Sequence, residues 1–338
     1  MTIPSPVFYP PFNITRASHV VLTVRDLAAS IAFYTRVIGL VVTEQDADIA
    51  WLRGIEEIAH HSLVLRRSGA SPVCERVGLR VQTEEELDKA AAYFSGMGLP
   101  ANFVERPFQG RTLHVSDPLG TPLELCARMP AVPRRLFETD HHPGGAALRF
   151  DHKQLHMSDI PAACAFYTSL GFRTSDYIVV GPEDELAGLF MHRKDIPWDL
   201  VFLPGPGPRL HHFAYVTPSL NDMLRACDAA GLHKYGASVE RGPGRHGLGH
   251  VQYVYFRDPD GHRVELVLEA PHHMTDLEQE PVRWDAARRA NTMDWGYPAP
   301  RCWFDEATPF DGVTPAEWTP PPGRVSLEDY LAARAAAP

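Results

Sequence analysis

Apolar and polar positions alternate from the eighteenth residue onward. In "SHVVLTV", Val20, Leu22 and Val24 fall at every second position, the period of a half-buried strand. An amphipathic stretch follows, and its spacing predicts a helix over Leu27–Val37. The same succession returns at "DHKQLHMSD". There His152, Gln154 and His156 share one strand face, and Lys153, Leu155 and Met157 share the other. Thr83 and Glu86 have the spacing of a capping box before a helix running to about Phe94. Thr217-Pro218 reads as an N-cap and first-turn proline opening a helix towards Ala230, with Gly231 as its stop.

The recurrence is an internal repeat. Aligning His19 with His152 places Asp26 on Asp159, Phe33 on Phe166 and Tyr34 on Tyr167 without a gap. Further on, "HHSLVL" from His60 resembles "HHFAYV" from His211, and "DPLGTPLELC" resembles "DPDGHRVELV". In each of the last pair a glutamate, Glu124 or Glu265, stands seven residues after the aspartate. Three motifs in one order, twice, predict a duplicated α+β unit spanning residues 16–130 and 148–272. Residues 131–147 have linker composition, and 273–338 form an extension rich in Pro, Trp and charge. From about Trp295 that extension is expected to be irregular, covering the site or a subunit interface.

With 338 residues, 44% of them apolar, the chain can bury two ordinary cores. A net charge of −10 and a pI near 5.9 argue against nucleic acid or an anionic membrane as partner. No apolar run has membrane-spanning length, and the N-terminus lacks the pattern of a secretory signal. Five scattered cysteines without a CxxC pair suit a reducing cytoplasm.

Seventeen histidines direct attention to metals. His152, His212 and Glu265 occupy corresponding strand positions, 60 and 53 residues apart. Two imidazoles and one carboxylate, with three positions of an octahedral metal left open, form the facial triad of non-haem Fe(II) oxygenases. Zn²⁺ suits the set less, since it prefers four ligands and has no redox chemistry. A helical zinc-protease reading of His152 and His156 fails because Lys153, not glutamate, follows the first histidine.

"GRHGLGHVQYVYFRDPDGHRVE", Gly244 to Glu265, resembles the signature of type I extradiol dioxygenases of the vicinal oxygen chelate superfamily. Together with "PRLHHFA" and "ERGPGRHG" it looks most like the branch acting on homoprotocatechuate, over residues 16 to 297. The resemblance implies two tandem domains, each a pair of βαβββ modules, the first a metal-free scaffold. It implies His152, His212 and Glu265 as ligands of Fe(II), or of Mn(II) as in some relatives. It implies a small aromatic diol and O₂ as substrates, meta cleavage to a semialdehyde, and a homo-oligomer, tetramer or dimer. Tyr255 and His246 would hydrogen-bond the substrate oxygens, Arg241 would lie near the pocket, and His211 would support the adjacent ligand. Phe190 and Trp198 are candidate ring walls, with plain core packing as the alternative.

Two departures stand out. Where the family has a proton-shuttling histidine, this chain has Trp198, which cannot shuttle a proton. His156 is the favoured substitute, with pocket lining as its alternative and His192 and His250 as weaker ones. Where relatives carry a basic pair shortly before Trp-Gly, this chain has Asn291–Asp294, with Arg288 and Arg289 a helical turn earlier. Gln154 replaces a family asparagine, which also points to a different substrate. The first copy keeps His19, His61 and Glu124 but has His114 in place of Tyr255. A non-oxidative metal lyase or isomerase and a non-catalytic aromatic binder remain as rival functions.

Overall fold

The computed structural model describes residues 3–235, 238–271, 273–285, 295–320 and 325–336. The first half opens with β1 (Ile14–Val24) and α1 (Leu27–Phe33), whose first turn is capped by Asp26 accepting the Ala29 N–H at 3.0 Å. Then come β2 (Val41–Gln45), β3 (Ile49–Arg53) and β4 (Leu63–Arg67). A second βαβββ module follows: β5 (Cys74–Val81), α2 (Glu84–Gly96), β6 (Asn102–Arg106), β7 (Gly110–Ser116) and β8 (Pro122–Cys126). The modules join through antiparallel β1 and β5, giving the order β2-β3-β4-β1-β5-β8-β7-β6.

The second half repeats this plan. Its modules are β9 (Arg149–Met157), α3 (Ile160–Ser169), β10 (Arg173–Val180), β11 (Glu185–His192) and β12 (Leu200–Pro204), then β13 (Arg209–Val216), α4 (Leu220–Leu232), β14 (Val239–Arg245), β15 (Gln252–Arg257) and β16 (Arg263–Val267). The extension is less irregular than its composition suggests. It adds β17 (Val282–Asp285) parallel to β10, a short helix α5 (Arg301–Asp305), and β18 (Thr308–Pro309) antiparallel to β13. A last helix, α6 (Leu327–Ala335), carries a Ser326–Asp329 capping box.

Two helix starts differ from the sequence reading. Thr83 stands at the N-cap of α2, but its side chain makes no capping bond. Glu86 instead accepts the Asn13 N–H and pairs with Lys89, both at 2.6 Å. The cap of α4 is Ser219, because the Thr217 hydroxyl is taken by the Gly145 carbonyl, and Gly231 lies inside the helix.

The halves are locked by an exchange between matching residues. Tyr34, directly after α1, donates to Asp258 of the second half at 3.0 Å, and Tyr167 donates to Asp117 of the first at 2.8 Å. All four are buried, so the repeated Tyr and Asp-Pro motifs mark an internal pseudo-twofold contact. Lys153 points the same way from β9, fully buried, with its ammonium on the carbonyls of His19 and Gly78. That leaves the opposite face of β9 for the site.

Candidate metal centre

His152 on β9, His212 on β13 and Glu265 on β16 converge from three neighbouring strands and are all buried. His152 Nε2, His212 Nε2 and Glu265 Oε2 lie 3.3 Å from one another on every side. Atoms bonded to one cation at about 2.1 Å and roughly at right angles are about 3 Å apart, so the spacing fits three ligands on one octahedral face. Glu265 Oε2 is buried without a hydrogen-bond donor, which leaves a charged oxygen for a cation to satisfy.

The far side of each imidazole is held as well. His152 Nδ1 donates to Asp151 Oδ2 at 2.7 Å. His212 Nδ1 lies 2.7 Å from His211 Nδ1, and His211 Nε2 donates to the Trp303 carbonyl at 2.8 Å. A carbonyl can only accept, and burial keeps His211 neutral by holding it well below the usual range. His211 Nδ1 is therefore the acceptor, and His212 carries its proton on Nδ1, leaving Nε2 for a metal. Adjacent strand residues ordinarily face opposite ways, and here two β-bulges bring them together. The register slips by one residue at His211 on β13 and at Asp151–His152 on β9.

Around the triad a cavity is lined by Gln154, Ile178, Phe190, Trp198, Val201, Leu203, Arg241, His246, Leu248, Tyr255 and Trp303. Tyr255 is buried, and burial with the nearby Glu265 carboxylate pushes its hydroxyl well above 10, so it stays a donor. Its oxygen is 2.9 Å from His246 Nε2, which is 3.8 Å from Glu265 Oε1. The Arg241 guanidinium lies 4.7 Å from the Trp303 ring and 5.0 Å from that of Tyr253. Gln154 Nε2 is buried without an acceptor. A wider cleft of about 780 Å³ passes Arg149 and Lys194 between the halves. Among the described residues, the His152 set is the one triad spaced for a metal, and it lies outside that cleft.

The repeat-matched set of the first half is closed. Glu124 Oε1 accepts from His19 at 2.8 Å and from Gln109 at 2.9 Å, while Oε2 takes His114 at 2.6 Å and Arg106 at 3.2 Å. Gln109 Oε1 meets His61 Nε2 at 2.8 Å, so an amide fills the middle of the triad. His19 itself sits over Gly78, where a Cβ would lie 2.2 Å from its ring.

The structure thus brings His152, His212, Glu265, Gln154, Phe190, Trp198, Arg241, His246 and Tyr255 to one cavity. His211 stands behind its neighbour, outside the lining. His156 does not line the cavity; its ring packs 4.6 Å from that of His211, two residues past the point where β9 leaves the pocket. His192 gives its Nδ1–H to the Lys194 carbonyl at 2.8 Å, and His250 is exposed. Arg288 and Arg289 lie outside the described residues. The sequence reading missed Trp303, whose helix has five residues and no periodicity to find, and Asp151, whose strand phase points it the wrong way until a bulge turns it.

The profile of the Glyoxalase/Bleomycin resistance protein/Dioxygenase superfamily matches residues 16–125 and 149–266. Homoprotocatechuate 2,3-dioxygenase of Brevibacterium fuscum, in its anaerobic complex with 3,4-dihydroxyphenylacetate, is 34% identical with a TM-score of 0.84, covering 91% of this chain and 96% of that one. The enzyme of the same name from Arthrobacter globiformis is 34% identical with a TM-score of 0.84, covering 90% and 95%. The manganese-dependent 2,3-dihydroxybiphenyl 1,2-dioxygenase of Geobacillus genomosp. 3 is 26% identical over 300 residues, covering 84% of this chain and 94% of the relative.

Proposed function

The chain belongs to the Glyoxalase/Bleomycin resistance protein/Dioxygenase superfamily, and from that membership we propose that it is a metal-dependent extradiol dioxygenase cleaving a catechol or related polyhydroxylated aromatic. The observation that carries the reading is the contrast between the two triads. In one, Glu265 Oε2 has no donor and the ligand atoms are 3.3 Å apart. In its twin every carboxylate oxygen is taken by the chain itself.

His152, His212 and Glu265 would hold Fe(II) or Mn(II), which would supply the redox chemistry linking a catechol to O₂. The chain's own side chains do the rest. Tyr255 donates its hydroxyl proton towards a substrate oxygen, and His246 Nε2, 2.9 Å from that hydroxyl, takes or returns a proton as the diol ionises. Gln154 offers its unsatisfied amide N–H to a second substrate oxygen. Phe190, Trp198 and Trp303 present ring faces and edges to the aromatic substrate and exclude water. One catechol and one O₂ give one ring-opened semialdehyde carrying both oxygen atoms, so no external reductant enters. No helix among the described residues is long and apolar enough to cross a membrane. The reading includes a homo-oligomer in the cytoplasm, checked by light scattering and fractionation.

The test is oxygen uptake by protein loaded anaerobically with Fe(II), or separately with Mn(II), on mixing with a catechol panel. One O₂ consumed per ring, with a yellow semialdehyde chromophore, is expected. No uptake with any catechol, trihydroxybenzene or hydroquinone overturns the reading in favour of a non-oxidative enzyme or a binding protein.

A further inference from the structure

Trp198 occupies the position at which a shuttling histidine was expected, and its indole is held at three points. Its Nε1–H is directed at Asp176 Oδ2, 3.4 Å away. Its six-membered ring lies under the turn Leu248–His250, where a Cβ on Gly249 (φ +66°) would be 2.6 Å from the ring carbons. It packs edge-to-face with the His152 ring, the centroids 5.7 Å apart at 78°. The other oxygen of Asp176 accepts the Trp284 Nε1–H at 2.9 Å. Trp284 belongs to β17 and stands opposite Ile178 of β10, so one carboxylate joins the C-terminal extension to the cavity wall. Asp176 is 1% exposed and does not line the cavity.

A buried carboxylate is costly to desolvate, and two indole donors from separate elements are specific compensation. The effect on the cavity is directional. With its one polar atom turned to Asp176, Trp198 shows the substrate only hydrocarbon. Ile178, Phe190, Val201, Leu203 and Leu248 continue that surface.

We propose that Asp176 is a positioning residue for substrate selection: by fixing the Trp198 N–H away from the triad, it makes this wall favour an apolar ring substituent over a hydroxyl-bearing one. The proposal rests on the catechol-binding part of the function read above. Asn at 176 keeps the volume but leaves one acceptor oxygen for two indoles.

Binding is read anaerobically, without turnover, by titrating Fe(II)-loaded protein with 4-ethylcatechol and with its isostere 4-(hydroxymethyl)catechol. The native protein should favour the ethyl compound by about tenfold, and Asp176→Asn should cut that preference to about twofold with iron content unchanged. In a Trp198→Phe background, which has no N–H to aim, Asp176→Asn should leave the preference unaltered. An unchanged preference in the single variant, or an equal change in both backgrounds, overturns the proposal. Should Asp176→Asn fail to fold, Trp284→Phe, outside the cavity lining, frees one carboxylate oxygen and should lower the preference by less than half; a larger loss that persists with Trp198→Phe overturns the proposal. Catechol binding without oxygen uptake defeats the dioxygenase reading alone, whereas no catechol binding defeats both.

Discussion

One proton distinguishes the two histidines of the triad. Burial alone would lower His152, but its hydrogen bond to Asp151 and the adjacent Glu265 carboxylate outweigh it and raise it to about 9. His212 is lowered to about 4, chiefly by burial against the opposing pull of Glu265. Below about pH 9, metal uptake must therefore displace the His152 proton, so affinity should rise with pH by up to about tenfold per unit. Competition titrations with a chelator at pH 6, 7 and 8 would check this; a flat profile would show that His152 is neutral without metal. His152→Ala and Glu265→Ala should abolish stoichiometric Fe(II) or Mn(II) retention, measured by elemental analysis after gel filtration. These residues were legible because the repeat marked them twice. The neighbour that sets a ligand's tautomer was not, because nothing in "HH" tells which imidazole donates.

At the level of elements, two bulges set the histidines of the triad and the residues behind them. Each ligand histidine is preceded by a residue turned onto its Nδ1, and the first half repeats the device with Ser18 on His19 at 3.0 Å and His60 against His61 at 3.2 Å. A strict period of two located the strands and the pocket face of β9, and it could not contain a slip of one residue. For the same reason it carried His156 too far along the strand. Asp151→Ala or His211→Phe should weaken metal binding by about 10–100-fold while leaving the fold intact, read by metal titration with circular dichroism as control. The turn Leu248–His250 is equally demanding. Gly249→Ala places a methyl group against the Trp198 ring at a positive φ, and should lower stability by about 1–3 kcal/mol in denaturant unfolding and weaken catechol binding. Capping was the least legible feature, since Thr83 makes no capping bond while Glu86 binds Asn13 and Lys89, and the Thr217 hydroxyl is taken by Gly145.

For the whole molecule, duplication supplied both a frame and a functional asymmetry. The frame was readable, because Tyr34, Tyr167, Asp117 and Asp258 recur and bond across the halves. The asymmetry was not, because Gln109, which fills the first triad, has no motif of its own. The C-terminal extension is fastened through Glu240, which binds Arg263 and Arg257 and meets Cys302 of α5. Burial would raise this carboxyl, but the two guanidinium groups bring it down to about 2. Its folded value thus lies below the unfolded one, so its stabilisation is complete above about pH 4.5 and is lost as the pH falls towards 2. Glu240→Gln should flatten that acid limb, removing on the order of 3 kcal/mol near neutrality, as followed by urea unfolding between pH 3 and 7.

The Trp303 carbonyl gives this fastening a meaning in time. Chains emerge from the ribosome N-terminus first, and every ligand of the triad precedes α5 in the sequence. The hydrogen bond that fixes His211, and through it His212, can form only once residue 303 has been made and docked. On the function proposed above, tight loading with a redox-active ion would wait until the chain is nearly finished, sparing the nascent protein an open metal centre.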